Sequence, residues 1–177
     1  RLSRVNPFQG FVRFYIWVLR GTPILLQLYF FWIFLPRVLP VKISDSSCII
    51  IALIINASSY VAEVIRAGIQ AVDKGQTEAA RSLGMTGSHT MTQIILPQAI
   101  KNILPALGNE FITMIKQASL ASVFFINELT TSYKTISSAT FRPVEALMIA
   151  GIIYLMVTTV LGKIMEYAEW RMNRNER

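Results

Sequence analysis

Four ionisable side chains lie within segments of the chain that are otherwise apolar: Glu63, Arg66, Glu110 and Lys116. A charged side chain at the centre of a bilayer costs at least about 2.5–3.5 kcal/mol, so such residues are kept where they pair or face a polar path. Glu63 and Arg66 have the spacing i, i+3 and can form an ion pair on one helix face. Glu110 and Lys116 lack that spacing, so we expect each to find a partner on another helix or to line a cavity.

The chemistry open to these groups is the binding of a polar or charged solute. The carboxylate of Glu110, which Asn109 precedes, could accept an amino or guanidinium group, or it could hold a gate closed through an interhelical bond. The Glu63 carboxylate could also balance the positive charge of a bound cation. Neutral hydrogen-bonding side chains extend this candidate pathway: Asn56, Ser58, Ser59, Gln117, Ser119 and Ser122. For the serines, close packing of helices is the alternative role.

Four long apolar segments carry these side chains. A spanning helix needs about 20 mainly apolar residues, because it rises about 1.5 Å per residue through about 30 Å of hydrocarbon. The segments are residues 14–35, 47–69, 104–127 and 144–167. With 53% hydrophobic residues and no period-two alternation in these segments, the sequence predicts an all-α integral membrane domain over residues 1–177. The chain starts without Met, and we expect one more span upstream, about five in all.

Pro23 interrupts the first segment, after Arg20, Gly21 and Thr22. A proline either kinks a span or occupies the first turn of a helix that begins there. Irregular backbone at membrane depth is tolerated where it lines a cavity, so residues 20–27 are a candidate wall of the pathway. Together with Pro23, the candidates for structural or gating roles are Arg66, Asn109 and Lys116.

Lys and Arg are distributed unevenly between the flanks of the four segments. One side holds only Arg37, Lys42, Lys134 and Arg142, and the other holds the rest apart from Lys116, including Arg1, Arg4 and Arg177. Because cytoplasmic loops carry the excess of basic residues, we expect both ends and the loop at 71–103 to be cytoplasmic. The polar stretch at 128–143 is expected to face outward. The net charge of +7 then matches anionic lipid headgroups rather than nucleic acid.

The loop at 71–103 begins with a predicted short helix. Residues 76–83 are good helix formers, and Gly84 suits the left-handed position after a helix C-terminus. The small side chains of Ala79 and Ala80 would allow another surface to approach closely.

The second half of this loop contains another predicted helix. Residues 86–88 offer a cap for a helix over 89–95, and Pro97 is expected to end it. The pattern alone leaves two interpretations open, which are a docking surface for a soluble partner and an ordinary amphipathic surface loop.

Residues 78–97 match every position of a known motif: Glu-Ala-Ala, three residues, Gly84, nine residues, then Ile-x-Leu-Pro. This segment resembles the EAA loop of ABC importer permeases. Four other segments resemble polar amino acid permeases of the histidine/glutamine/arginine type: 20–27 (RGTPILLQ), 74–76 (KGQ), 107–111 (LGNEF) and 119–122 (SLAS). The resemblance covers nearly the whole chain and implies the type I ABC importer transmembrane fold.

The resemblance also implies partners and a location. Such permeases work in pairs, with a second copy or a similar chain, in the bacterial inner (plasma) membrane. A cytoplasmic ABC ATPase dimer receives the loop, and an extracytoplasmic binding protein delivers the amino acid. The implied ATPase-coupling residues are Glu78, Ala79, Ala80, Leu83 and Gly84. The sequence has no GxxxxGK[ST] phosphate loop, so ATP and Mg are expected on the partner, with no cofactor and no enzymatic activity in this chain.

A different class of function is an autonomous channel or ion-coupled secondary transporter, which would use the charges within the spans for ions or protons. The loop at 71–103 has no obvious use in such a protein. Among amino acids, basic ones such as arginine, lysine or histidine are the first expectation, because Glu63 and Glu110 could compensate a cation. The one cysteine, Cys48, allows neither a disulfide within the chain nor a Cys/His metal cluster.

Overall fold

The computed structural model describes residues 8–174, and these form an all-helical domain without a strand. The α-helices are α1 (Gln9–Gly21), α2 (Ile24–Val38), α3 (Asp45–Gln70), α4 (Lys74–Ser82), α5 (Gly87–Thr90), α6 (Leu96–Gln117), α7 (Leu129–Thr140) and α8 (Pro143–Arg174). A π-helical turn at Met91–Ile95 joins α5 to α6, and a 3-10 helix at Ala118–Phe124 follows α6. Arg1, Arg4 and Arg177 lie outside the described residues.

The first predicted span, residues 14–35, is two helices rather than one. α1 and α2 meet at a break where the chain direction changes by 112°. Thr22 and Pro23 are extended at this break, because the proline ring disfavours the helical conformation of the residue before it. The apolar helix α2 therefore begins directly after Pro23, and α1 lies nearer to the membrane plane when α2 crosses the bilayer.

Two helices of the described chain are long and apolar enough to cross a membrane, namely α3 and the Pro143–Met172 part of α8. The bent pair of α1 and α2 adds a third if it is one span. α6 replaces the predicted span at 104–127, but it begins at Leu96, ends at Gln117 and carries polar residues in its first turns. Length and composition therefore support two or three of the four predicted spans.

The buried core lies where α2, α3 and the 3-10 helix meet. Leu28 of α2 packs with Ile49 and Ala52 of α3 and with Ala121 and Phe124 of the 3-10 helix. Packing between membrane helices depends on van der Waals contact, since lipid tails are as apolar as these side chains.

Two glycines allow α6 to lie close to its neighbours. A Cβ on Gly68 of α3 would be 2.3 Å from Cγ1 of Ile103, and a Cβ on Gly108 of α6 would be 2.3 Å from Sδ of Met165 in α8. Small residues at helix contacts are typical of membrane bundles. α6 is therefore held between α3 and α8.

The polar stretch at 128–143 forms α7 and the turn after it. The Glu128 carboxylate accepts hydrogen bonds from the backbone N–H groups of Thr130 (2.8 Å) and Thr131 (2.7 Å), which caps the helix. The Tyr154 hydroxyl of α8 donates to the same carboxylate at 3.1 Å. Phe141 follows α7 in the left-handed conformation, with φ 57°, and its ring is 88% exposed.

Candidate coupling loop and solute pathway

The first helix of the loop at 71–103, α4, is capped at both ends. The Asp73 carboxylate accepts from the backbone N–H of Gly75 at 2.7 Å. At the other end, Gly84 has φ +81°, and its N–H donates to the carbonyl of Arg81. The N–H of Met85 donates to the carbonyl of Ala80 at 3.1 Å. These two bonds form a Schellman motif, the left-handed helix end that the sequence predicts at Gly84.

The second half of the loop starts as predicted and ends differently. The Thr86 hydroxyl accepts from the backbone N–H of His89, which caps α5. The chain then remains helical through the π-helical turn and into α6, with Pro97 inside the first turn of α6. The expectation that Pro97 ends the helix is therefore wrong. The N–H of Leu96 reaches back to the carbonyl of Met91, and this wider turn precedes the proline, which itself has no N–H to donate.

Glu78, Ala79, Leu83 and Gly84 are exposed, and Leu83 is 84% exposed. Ala80, which was expected to face an approaching surface, is buried inside the loop. Its small side chain lets α4 pack on the segment after α5. Four of the five predicted coupling residues are thus available for contact, and the fifth shapes the loop.

Asn56 and Gln27 form a buried amide pair between α3 and α2. Nδ2 of Asn56 donates to Oε1 of Gln27 at 2.8 Å. Nε2 of Gln27 donates to the carbonyl of Leu19 at 2.7 Å, and to both the carbonyl (3.1 Å) and the hydroxyl (2.8 Å) of Thr22. The pair satisfies carbonyl groups at the end of α1 and connects the break at Pro23 to α3.

Glu63 is buried near the C-terminal end of α3 and contacts two arginines. Its Oε2 accepts from Nε of Arg66 at 2.8 Å, which confirms the predicted i, i+3 pair. Nη1 of Arg20 lies 3.7 Å from the same oxygen, and the Arg20 guanidinium stacks on the Tyr60 ring at 5.5 Å. Arg66 also donates to Oε1 of Gln70 at 2.6 Å. The carboxylate of Glu63 is therefore neutralised within the chain.

The hydroxyls of three of the four predicted pathway serines each donate to a carbonyl three residues earlier in the chain. Ser58 donates to Ile55 at 2.7 Å, Ser59 to Asn56 at 2.7 Å, and Ser119 to Lys116 at 2.7 Å. Ser59 is completely buried, so it has the packing role. Ser58 is exposed and also shares a 2.6 Å hydrogen bond with the Tyr15 hydroxyl of α1.

The polar residues of α6 lie apart from this network. Glu110 is half-buried, and within residues 8–174 the side chains of Glu110 and Lys116 form neither a hydrogen bond nor an ion pair. Asn109 is exposed, and its carbonyl accepts from the Thr113 hydroxyl at 3.0 Å. Gln117 is the half-buried last residue of α6. The side chains of Glu110 and Lys116 are therefore available to a solute or to another chain.

Residues 2–172 match the family described as binding-protein-dependent transport system inner membrane component. The chain belongs to this family. It is therefore a multi-pass inner membrane permease subunit, and the resemblance inferred from residues 78–97 is confirmed. Permeases of this family are transport components without catalytic activity of their own, and they work with an ATPase and a binding protein.

Three curated relatives align with almost the whole of this chain and with about four fifths of their own length. The chain is 38% identical over 176 residues to the arginine transport system permease protein ArtQ of Bacillus subtilis (strain 168), covering 99% of this chain and 80% of that protein. It is 39% identical over 186 residues to the nopaline transport system permease protein NocM of Agrobacterium fabrum (strain C58 / ATCC 33970), covering 100% of this chain and 77% of that protein. It is 36% identical over 175 residues to the probable glutamine ABC transporter permease protein GlnM of Bacillus subtilis (strain 168), covering 99% and 81%.

Solved structures show the same fold. The crystal structure of an amino acid ABC transporter with histidines has a TM-score of 0.89 and 46% identity, covering 96% of this permease and 79% of that chain. An inward facing structure of the MetNI methionine ABC transporter has a TM-score of 0.70 and 17% identity, covering 96% and 76%. The expected type I ABC importer fold is confirmed.

Sequence reasoning missed the central role of Gln27. In the sequence, Gln27 belongs to the segment 20–27, which is both a motif and a candidate wall of the pathway, but its partner Asn56 is 29 residues away. The signal that identifies it is a lone amide within an apolar run, since a buried amide needs hydrogen-bond partners.

Proposed function

We propose that this chain is the permease subunit of an ATP-driven importer of polar amino acids, which works by alternating access. The observation that supports it best is the loop at 71–103, a capped structure that exposes Glu78, Ala79 and Gly84 of the EAA motif within a family of importer permeases. The loop is the cytoplasmic contact for an ABC ATPase dimer, and ATP with Mg binds to that partner.

The loop is connected to the membrane helices without a flexible joint. From Gly87 to Gln117 the backbone is helical through α5, the π-helical turn and α6. A displacement of the loop by the ATPase therefore moves α6, and α6 carries Glu110. Gly68 and Gly108 bring α6 against α3 and α8, so these contacts must slide or shift together when the pathway opens.

The assembly has four further features in this proposal. The permease works as a pair, with a second copy or a similar chain, and a binding protein delivers the amino acid from outside. Both ends of the chain face the cytoplasm, as the excess of basic residues on that side indicates. Membrane lipid surrounds the pair.

The cargo is proposed to be a basic amino acid such as arginine, lysine or histidine. Relatives named for arginine and for glutamine transport support the amino acid class. Glu63 is neutralised by Arg66 and Arg20, so Glu110 is the better candidate for the cationic group of the cargo. Asn56, which is buried against Gln27, is assigned to holding the break between α1 and α2 rather than to binding cargo.

Replacement of Leu83 tests the coupling loop. L83D replaces an exposed apolar side chain with a charged one, and it should abolish both co-purification of the ATPase and ATP-driven uptake. F141D is the matched control, because Phe141 is similarly exposed but lies after α7, away from the loop. Retained ATPase binding and uptake in L83D would contradict the docking assignment.

Replacement of Glu110 tests the cargo assignment separately. E110Q keeps the size of the side chain and removes its charge, so arginine uptake should fall by about tenfold or more, as expected for loss of a charge-assisted hydrogen bond. Glutamine uptake by the same variant should change much less. Equal effects on arginine and glutamine would show that Glu110 does not select a cation.

A further inference from the structure

A pocket of about 480 Å³ lies between the second half of α1 and the last turns of α3. Arg13, Trp17 and Arg20 line it from α1, and Glu63 and Arg66 line it from α3. The three residues of α1 have the spacing i, i+4, i+7, which places them on one face of the helix.

The pocket carries an excess of positive charge. Three guanidinium groups and one carboxylate line it, which gives its lining a net charge of +2. Arg66 and Arg20 both approach Oε2 of Glu63, yet the Arg20 side chain is still 45% exposed. Arg13 is exposed, and its side chain forms no hydrogen bond or ion pair with any residue the structure describes. Guanidinium groups present planar pairs of donors that match two oxygens of a phosphate.

An aromatic stripe runs along α1 beside this pocket. Phe11, Phe14 and Trp17 repeat every third residue, are 68%, 61% and 71% exposed, and the last two rings lie 6.0 Å apart. The break of 112° turns α1 away from the direction of α2. A helix with an aromatic face and basic residues lies in the membrane interface, with its rings against the acyl chains.

We propose that this pocket binds the phosphate of an anionic phospholipid, with the aromatic stripe against its acyl chains. A free phosphate ion would use the guanidinium groups alone, whereas here the arginines adjoin exposed rings at the depth of the headgroups. The uncompensated charge favours an anionic headgroup, because the cationic amine of a zwitterionic one would be repelled. The lipid holds α1 against α3 at the break in the first span.

The test measures lipid binding on the complete transporter with its ATPase. The transporter is placed in phosphatidylcholine nanodiscs with increasing phosphatidylglycerol, and native mass spectrometry measures the phosphatidylglycerol retained. R13Q and R20Q should each weaken retention about fivefold, the factor that corresponds to about 1 kcal/mol per basic residue near a membrane surface. R171Q is the matched control, because Arg171 is exposed near the end of α8 and outside the pocket.

Two results would overturn the proposal. Equal losses in R171Q and R13Q would show a general effect of surface charge and no specific site. Displacement of the lipid by inorganic phosphate would show a site for soluble anions. If R20Q fails to assemble, the result for R13Q is decisive, since this replacement breaks no side-chain hydrogen bond or ion pair of the described chain. Lipid retention is measured without cargo, so the result is independent of the proposed transport function.

Discussion

Replacement of Gln27 by leucine should destabilise the junction of α1, α2 and α3. The Gln27 amide donates to the carbonyl of Leu19 at 2.7 Å and accepts from Asn56 at 2.8 Å, and both contacts are buried. A buried polar group that loses its partner costs about 1–3 kcal/mol. Hydrogen bonds between membrane helices average about 0.6 kcal/mol. Two buried groups lose a partner, and the small value for membrane helices favours the lower part of the combined range. We therefore expect Q27L to lower the free energy of unfolding by about 2–4 kcal/mol.

The buried thiol of Cys48 provides the assay. It is the one cysteine in the sequence and is inaccessible in the folded chain. A fluorogenic maleimide will react with it only when the core opens, so labelling against temperature gives an apparent Tm in detergent. With about 2–4 °C per kcal/mol for a chain of this size, the Tm of Q27L should fall by about 4–16 °C.

A double-mutant cycle shows whether the pair itself is responsible. N56L should also lower the Tm, but Q27L with N56L should lose less than the sum of the two, because the second replacement leaves no additional amide without a partner. Strictly additive losses, or a Tm for Q27L within about 1 °C of the wild type, would refute this reasoning.

Three other replacements have defined outcomes. Gly84→Val should destabilise the loop by about 1–2 kcal/mol and weaken co-purification of the ATPase, because residue 84 has φ +81°. Gly84→Asn should retain ATPase binding, because asparagine tolerates that conformation. Gly68→Val should cost about 1–3 kcal/mol by collision with Ile103, and a failure of Ile103→Ala to restore part of the Tm would argue against this contact. Glu128→Ala should cost about 1 kcal/mol of capping and speed amide hydrogen exchange in α7, and unchanged exchange would exclude the capping role.

The features that sequence predicts best here are those decided by local chemistry. Gly84 is left-handed because the Schellman motif requires that conformation, and Thr86 caps α5 with a side chain three residues from its donor. The ion pair of Glu63 and Arg66 follows from helix geometry alone. Each of these depends on residues within one or two turns of each other.

The features that sequence did not reveal depend on distant contacts or on continuity of the backbone. Whether Ala79 or Ala80 faces outward is decided by packing against the segment after α5, which no local pattern specifies. Pro97 was expected to end a helix, but the π-helical turn before it lets the helix continue. Because the helix continues through this turn, α6 begins at Leu96, whereas the predicted span begins at residue 104. The contact between Gln27 and Asn56 depends on the packing of α2 against α3, which brings together residues 29 positions apart.

ATP-dependent uptake in proteoliposomes tests the central claim most directly. The permease pair is reconstituted with its ATPase, ATP is enclosed on the side of the loop at 71–103, and radiolabelled arginine is added with the binding protein on the other side. We predict accumulation that requires ATP, the ATPase and the binding protein together, and that stops in L83D. Accumulation by the permease alone under an ion gradient would contradict the account and would identify the chain as an ion-coupled transporter.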